Sequence, residues 1–475
     1  MKTFKIYFAG KFHTTDNILK VENPYTNEFF AQTYIAGKQE LEQAILAALA
    51  VEEEMKFLPS FKKYDILRFI ANELEKNKDY FAEIIALEAA KPHIYALGEV
   101  KRAIQTFTVA AEETKRLPKE YVSLDWTAPG TGKEGLIKHF PIGLIAGIAP
   151  FNFPLNLAVH KLAPAIAAGN PIILKPSRNT PLSTLALSEI FDKSELPKGA
   201  VSVIPMDRQA GNQLVTDERF KLISFTGSPQ VGWKMKHDAG KKKVLLELGG
   251  NAGVIVSDTA DVENAVNRTI VGGFAYSGQV CIHAQRIYVH KNIFDDFSSK
   301  FVEKAKKLRI GNPLDPNTEI SAMIDEANAI RVQQWVDEAV TEGAKILCGA
   351  IRNGTYYEPT VLTQTRTEMK VCALEVFGPV VTLEPIDNFE QGIDLINQSQ
   401  YGLQAGIFTN NYNEINYAFN KIEAGGVIVN DVPTFRVDHM PYGGVKNSGF
   451  GREGVKYSII EMMEPKLLVL PNNKF

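Results

Sequence analysis

The chain has 475 residues, 45% of them hydrophobic and 23% charged, and its 52 Lys and Arg face 55 Asp and Glu for a net charge of −3. That length predicts about two or three domains with a large buried core, and the composition excludes a disordered or low-complexity protein. The near balance of charge argues against binding to phosphate backbones or anionic membranes, so neither nucleic acid nor a membrane is an expected partner.

The opening segment MKTFKIYFAGKF is broken by Lys5 and Lys11, so it does not read as a signal peptide. No stretch reaches the roughly 18 uninterrupted apolar residues that a membrane helix needs. Cys281, Cys348 and Cys372 are too few and too scattered for a disulfide framework, and none forms a Cys-x-x-Cys metal pair. They read as reduced thiols in a cytoplasmic protein without a bound metal.

Residues 39–55 and 61–90 place apolar side chains at three- and four-residue spacing and predict amphipathic helices. A third covers 98–117 and stops before Pro118. Residues 119–139 alternate in polarity, carry Trp126 and turn at Pro129-Gly130, the pattern of an extended ribbon. From about 142 apolar strands alternate with helices. The strands are GLIAGIAP, PIILKPS, 201–206, 221–226 and 242–248, and the helices are 154–169, 180–195, 208–217 and 228–239. Strands spaced in this way pair in parallel through right-handed crossovers, the pattern of an α/β nucleotide-binding domain. A second α/β stretch from about 251 to 446 offers the strands AGVIVS, RIYVH, KILCGA, VVTLEPI, AGIFT and GGVIVN. The tail KLLVL is one more short strand.

Several segments carry chemistry. In Phe225-Thr226-Gly227-Ser228-Pro229-Gln230-Val231-Gly232 a strand turns into a helix, with Ser228 as expected cap. Such a turn is either a plain connection or a seat for a pyrophosphate on exposed N–H groups. Lys175-Pro176-Ser177-Arg178 follows another strand, where an ammonium faces either solvent or a ligand crevice. Glu247, in Glu247-Leu248-Gly249-Gly250, is a strand-end charge or a positioned base. Cys281, in Gly278-Gln279-Val280-Cys281, is a buried small residue or a nucleophile. Asn152, in Pro150-Phe151-Asn152-Phe153-Pro154, is a turn residue or an oxyanion donor.

These segments occur in one order with Glu375-Val376-Phe377-Gly378-Pro379 and Pro441-Tyr442-Gly443-Gly444-Val445-Lys446-Asn447-Ser448-Gly449 after them. Together they resemble the aldehyde dehydrogenase superfamily, from the N-terminal segment to the last strand. The 34 positions from Glu247 to Cys281 match that family's spacing.

The resemblance implies a Rossmann-like dinucleotide-binding domain (1–118 and 140–249), an α/β catalytic domain (250–446) and a β-ribbon oligomerisation arm (119–139 and 456–475). The arm's C-terminal strand is expected to pair across a subunit interface, giving a homodimer or homotetramer. Cys281 is implied as the nucleophile, Asn152 with the Cys281 N–H as the oxyanion site, and Glu247 as the base for hydrolysis. Lys175 and Ser177 would lie at the adenosine ribose, and Gly227, Ser228 and Gly232 at the pyrophosphate. Glu375 would hold the nicotinamide ribose, with Phe377 beside the ring. Strict NAD users often carry a Glu where this chain has Arg178. An Arg pairs with a 2′-phosphate, so NADP is expected to be tolerated alongside NAD.

Phe153, His160, Arg102 and Arg436 align with substrate-pocket positions. They imply a short, polar or anionic aldehyde of the lactaldehyde, semialdehyde or phosphorylated kind. The opposing view makes Arg102 and Arg436 subunit salt bridges. Two rival functions remain. One is a coenzyme A-acylating enzyme, disfavoured by the presence of Glu247, and the other a catalytically silent protein on the same scaffold, disfavoured by Cys281.

Overall fold

The computed structural model describes residues 1–471. The last four residues of the arm expected at 456–475 lie outside the described part.

Leu222–Thr226 and Ile145–Ile148 are buried along their whole length, and Ile172–Lys175 and Lys243–Glu247 are nearly so. Continuous apolar runs of this kind must be covered on both faces, which favours a parallel sheet flanked by helices. The first sheet has eight strands. Its parallel centre runs Lys243–Glu247, Leu222–Thr226, Ile145–Ile148, Ile172–Lys175, Val201–Val203. The register sets Ile148 beside Lys175 and Thr226 beside Glu247, so the carboxyl ends of the strands form one edge. In open α/β sheets that edge is where ligands bind. Helix Asn156–Ala168 is buried at every residue and ends at Gly169 with φ +93°, the left-handed stop expected there.

Two antiparallel pieces close this sheet. Gly449–Phe450 pairs with Lys243–Glu247. The N-terminal hairpin Ile6–Phe8 and Lys11–His13 docks on Val201–Val203. Neither was expected from the sequence. The helix predicted at 61–90 is two helices, Ser60–Lys76 and Lys78–Ala89, divided at Asn77. The one predicted at 98–117 starts earlier, at His93, and runs to Glu113.

The second sheet has seven strands in the order Lys345–Cys348, Thr360–Thr363, Val380–Ile386, Ala284–His290, Ala252–Val256, Gln404–Phe408, Gly426–Val429. All six strands predicted for this stretch are present. Only the outermost pair, Lys345–Cys348 with Thr360–Thr363, is antiparallel.

The ribbon is Lys119–Ser123 paired with Lys133–Pro141. The C-terminal strand, Met463–Pro471, pairs antiparallel with Lys133–Pro141 of its own chain over nine residues. Within the chain, therefore, the strand completes a three-stranded sheet, and among the described residues no other strand pairs with its outer edge.

Candidate active site

Cys281 lies on the loop that leads into strand Ala284–His290. Tyr276, Ser277 and Gly278 take left-handed φ of 50°, 53° and 67° in succession, a conformation that two non-glycine residues adopt only when held. They are held by the Tyr276 hydroxyl donating to Ala89 O (3.1 Å) and the Ser277 hydroxyl donating to Ser321 O (2.7 Å). Gly278 is required, because a Cβ there would stand 2.1 Å from Gly378 O. Cys281 itself is half-buried, and its thiol lies 3.2 Å from the Tyr442 hydroxyl. Burial pushes the thiol up to about 11, against the Tyr442 hydrogen bond and the Arg436 charge, which lower it.

Asn152 is buried, and its side-chain amide donates to Gln279 O at 2.9 Å, two residues before Cys281. Its backbone carbonyl accepts from Lys91 Nζ. Lys91 is itself fully buried, with Glu99 as ion-pair partner and the Phe153 ring 3.7 Å away. The other oxygen of Glu99 accepts the Leu155 and Asn156 N–H groups at 2.9 and 3.1 Å, which caps helix Asn156–Ala168 from another helix. The sequence reading passed over both residues. A signal existed for Glu99, which falls among Ala96, Val100 and Ala103 on the apolar stripe of its helix.

Glu247 ends its strand in the sheet edge and is buried. Its Oε2 has no hydrogen-bond partner. Burial, then the nearby Glu453 charge, raise its ionisation well above the usual carboxylate range. Behind it Lys161 reaches both Thr226 Oγ1 (2.8 Å) and Glu453 Oε1 (3.2 Å).

The dinucleotide segments line the same edge. Lys175 and Ser177 are half-buried and Arg178 is exposed, and neither Lys175 nor Arg178 has an ion-pair partner among the described residues. Two adjacent uncompensated cations at a strand's carboxyl end fit a phosphorylated dinucleotide. Gly227 and Ser228 open helix Pro229–Asp238. Ser228 occupies the cap position, but its hydroxyl caps nothing, contrary to expectation; the side chain points to solvent instead. Gly232 is buried, with Leu248 where a Cβ would stand, so it brings the helix close to the strand-end loop. The Glu375 carboxylate accepts from Gly250 N at 2.9 Å, and burial raises it to about 7. Phe377 meets Phe151 edge-on at 5.7 Å.

The expected cationic pocket holds more compensation than the sequence reading assigned. Arg102 forks onto Asp438 through Nη2 at 2.7 Å and Nε at 3.3 Å. His160 Nε2 lies 2.7 Å from the same carboxylate, and burial together with Arg436 lowers its ionisation against the opposing pull of Asp438. Burial alone would raise Asp438, but His160 and Arg102 outweigh it and hold it well below the usual range. Arg436 reaches Glu453 at 3.5 Å and stacks on the Tyr442 ring at 3.6 Å, yet its buried Nε has no partner. Both arginines thus have salt-bridge partners within their own chain, and those partners, Asp438 and Glu453, are the residues that sequence reasoning missed.

The geometry agrees with what comparison finds. The profile of the aldehyde dehydrogenase family matches residues 12–468. A 3-sulfolactaldehyde dehydrogenase of Priestia aryabhattai is 44% identical over 474 residues, covering 99% of this chain and 98% of that one. Aldehyde dehydrogenase 21 from Physcomitrella patens, solved with its reaction product succinate, superposes with TM-score 0.98 at 45% identity, covering 99% of both chains. Glyceraldehyde-3-phosphate dehydrogenase from Methanocaldococcus jannaschii, solved with NADP, gives TM-score 0.91 at 39% identity, covering 95% of this chain and 99% of that one. With such likeness from end to end, and with a cysteine, an asparagine and a carboxylate gathered at the strand ends, the chain belongs to the aldehyde dehydrogenase family and is an NAD(P)-dependent oxidoreductase.

Proposed function

We propose that the enzyme oxidises a short aldehyde carrying an anionic group to its carboxylic acid, with Cys281 as nucleophile. The Cys281 thiolate attacks the aldehyde carbon, and the oxygen becomes an oxyanion received by the Asn152 amide and the Cys281 N–H. The bound dinucleotide supplies the hydride acceptor. The carbon that gave up hydride remains on Cys281 as a thioester. Glu247, ionised, takes a proton from water, whose hydroxyl adds to the thioester and expels the thiolate with the acid. Lys175, Ser177, Arg178, Gly227 and Ser228 hold the cofactor at the sheet edge, with Gly232 packing the helix behind them. Glu375 and Phe377 hold its nicotinamide end.

The single observation that carries the substrate class is Arg436, buried, with an unpartnered Nε, on the ring that touches Cys281. A buried guanidinium N–H without an acceptor costs free energy that an anionic substrate group would recover. The three relatives named above act on or release molecules bearing a sulfonate, a carboxylate or a phosphate, which fits one anion subsite. Arg436 supplies its free N–H, Arg102 on Asp438 lies beside it, and Phe153 and His160 are its walls. In kinetics with 3-sulfolactaldehyde, succinate semialdehyde, glyceraldehyde 3-phosphate and propanal, Arg436→Leu is expected to raise KM for the anionic aldehydes by about tenfold to a hundredfold and leave the KM of propanal nearly unchanged, while any loss of kcat through the thiol is shared by all four. Equal changes in KM for all four would remove the anion subsite.

We also propose that the arm makes the enzyme a homodimer or a dimer of such dimers. Its three unpaired cysteines support a cytoplasmic setting.

A further inference from the structure

Tyr442 has no role in the scheme above, yet it touches the reacting atom. Its backbone is pinned by two hydrogen bonds to Glu453, Tyr442 N to Glu453 O at 2.9 Å and Glu453 N to Tyr442 O at 2.6 Å. Its ring is packed with Val280, Ile282 and Leu403. The hydroxyl that results from this placement lies 3.2 Å from Cys281 Sγ and makes no other hydrogen bond among the described residues. The sulfur has no other polar partner there either.

A thiol and a thiolate respond differently to such a neighbour. The neutral thiol is a weak donor and a weak acceptor, so it gains little from a phenol. The thiolate is a charged acceptor, and an O–H bond to it is roughly twice as strong. Burial works against the thiolate here, and the Tyr442 hydrogen bond is the largest effect opposing burial. Arg436 adds to this. Its guanidinium lies over the Tyr442 ring at 3.6 Å, where a cation draws electron density from the π system and sharpens the phenol as a donor.

We propose that Tyr442 is a further catalytic residue whose hydroxyl donates a hydrogen bond to the Cys281 thiolate and releases it as the sulfur becomes a thioether. The thiol proton leaves to solvent, and Tyr442 keeps its own throughout. A sulfur lone pair then forms the bond to the aldehyde carbon, while the carbonyl π pair moves onto oxygen. The role rests on Cys281 being the nucleophile proposed above.

The test follows alkylation of the cofactor-free enzyme by iodoacetamide as a function of pH, with the Cys281→Ser protein as blank for Cys348 and Cys372. Tyr442→Phe keeps the ring and its stacking and removes only the hydroxyl. Its midpoint is expected to rise by about one pH unit, with alkylation at pH 7.5 slowed about tenfold. Incorporation of 3-fluorotyrosine at 442 preserves shape and makes the phenol a stronger donor, so the midpoint is expected to fall. A packing role would not produce that downward shift. Midpoints equal to the parent's in both proteins overturn the proposal. Should Tyr442→Phe lose NADP binding and hence its fold, the isosteric fluorotyrosine protein decides alone. The nucleophile assignment fails on a different result, namely aldehyde oxidation that survives in Cys281→Ser.

Discussion

Glu247, the base proposed above, shows how burial can prepare a side chain for such a role. A carboxylate at the end of an apolar strand loses hydration, and Glu453 adds a like charge, so both push its ionisation up. Below that raised value the group is a neutral acid and cannot accept a proton from water. Above it the carboxylate is a base far stronger than an exposed glutamate. Hydrolysis of the thioester is therefore expected to accelerate as pH rises through this ionisation. Glu247→Gln should retain a single burst of reduced cofactor while steady turnover falls about a hundredfold or more and loses that limb of its pH profile. Full turnover in this variant would show that another group activates the water. Of the residues proposed for the reaction, Glu247, Cys281 and Asn152 were legible in the sequence as candidates, because their motifs are local. Lys161, Glu453 and Asp438 were not. Lys161 and Glu453 lie 292 positions apart, and a buried pair of that separation leaves no local trace.

The segment that carries Asn152, the proposed oxyanion donor, depends on elements that hold none of the proposed reacting groups. Helix His93–Glu113 supplies Glu99, and the turn before it supplies Lys91. Their ion pair grips the Asn152 carbonyl on one side and the start of helix Asn156–Ala168 on the other. A charge buried without its partner is costly, so Lys91→Met is expected to lower stability by about 3–5 kcal/mol. It also frees the Asn152 backbone, and an oxyanion donor displaced by a fraction of an ångström loses its advantage at the transition state. The double variant Lys91→Met with Glu99→Gln removes both charges. Urea melts should show it recovering part of the stability, while kcat stays depressed and KM changes little. Recovery of kcat along with stability would make the pair structural only. At this scale the sequence was a good guide where elements are long and periodic. The five parallel strands and their helices declare themselves as apolar runs between turn residues. The N-terminal hairpin did not, because Ile6–Phe8 and Lys11–His13 are three residues each and are stabilised by pairing with Val201–Val203 far along the chain. The break at Asn77 was equally hidden, since the helices on both sides keep the same apolar periodicity.

Across the whole molecule the two sheets are joined at the site. Asn152 of the first reaches Gln279 of the second, and Glu375 returns to Gly250 at the crossing between them. The arm stands apart from this joint. Its outer strand, Met463–Pro471, exposes Leu467, Leu468, Val469 and Leu470 in a row, and the ribbon exposes Tyr121 and Trp126, the latter at 87%. A long apolar edge with unpaired N–H and C=O groups is a template for another strand. The residues that blunt an edge, Pro465, Lys466 and Pro471, flank the apolar row and leave Leu467 to Leu470 themselves without a charge or a proline. The second copy of the chain proposed above would fit such an edge through a two-fold contact. Light scattering coupled to gel filtration should accordingly give the parent protein two or four chain masses. Leu468→Lys together with Leu470→Lys sets two like charges against their symmetry mates on one face of the strand. That variant is expected to shift to a single chain mass while keeping the Cys281 alkylation rate. A parent protein that runs as a single chain at micromolar concentration would leave the exposed edge without the partner assigned to it.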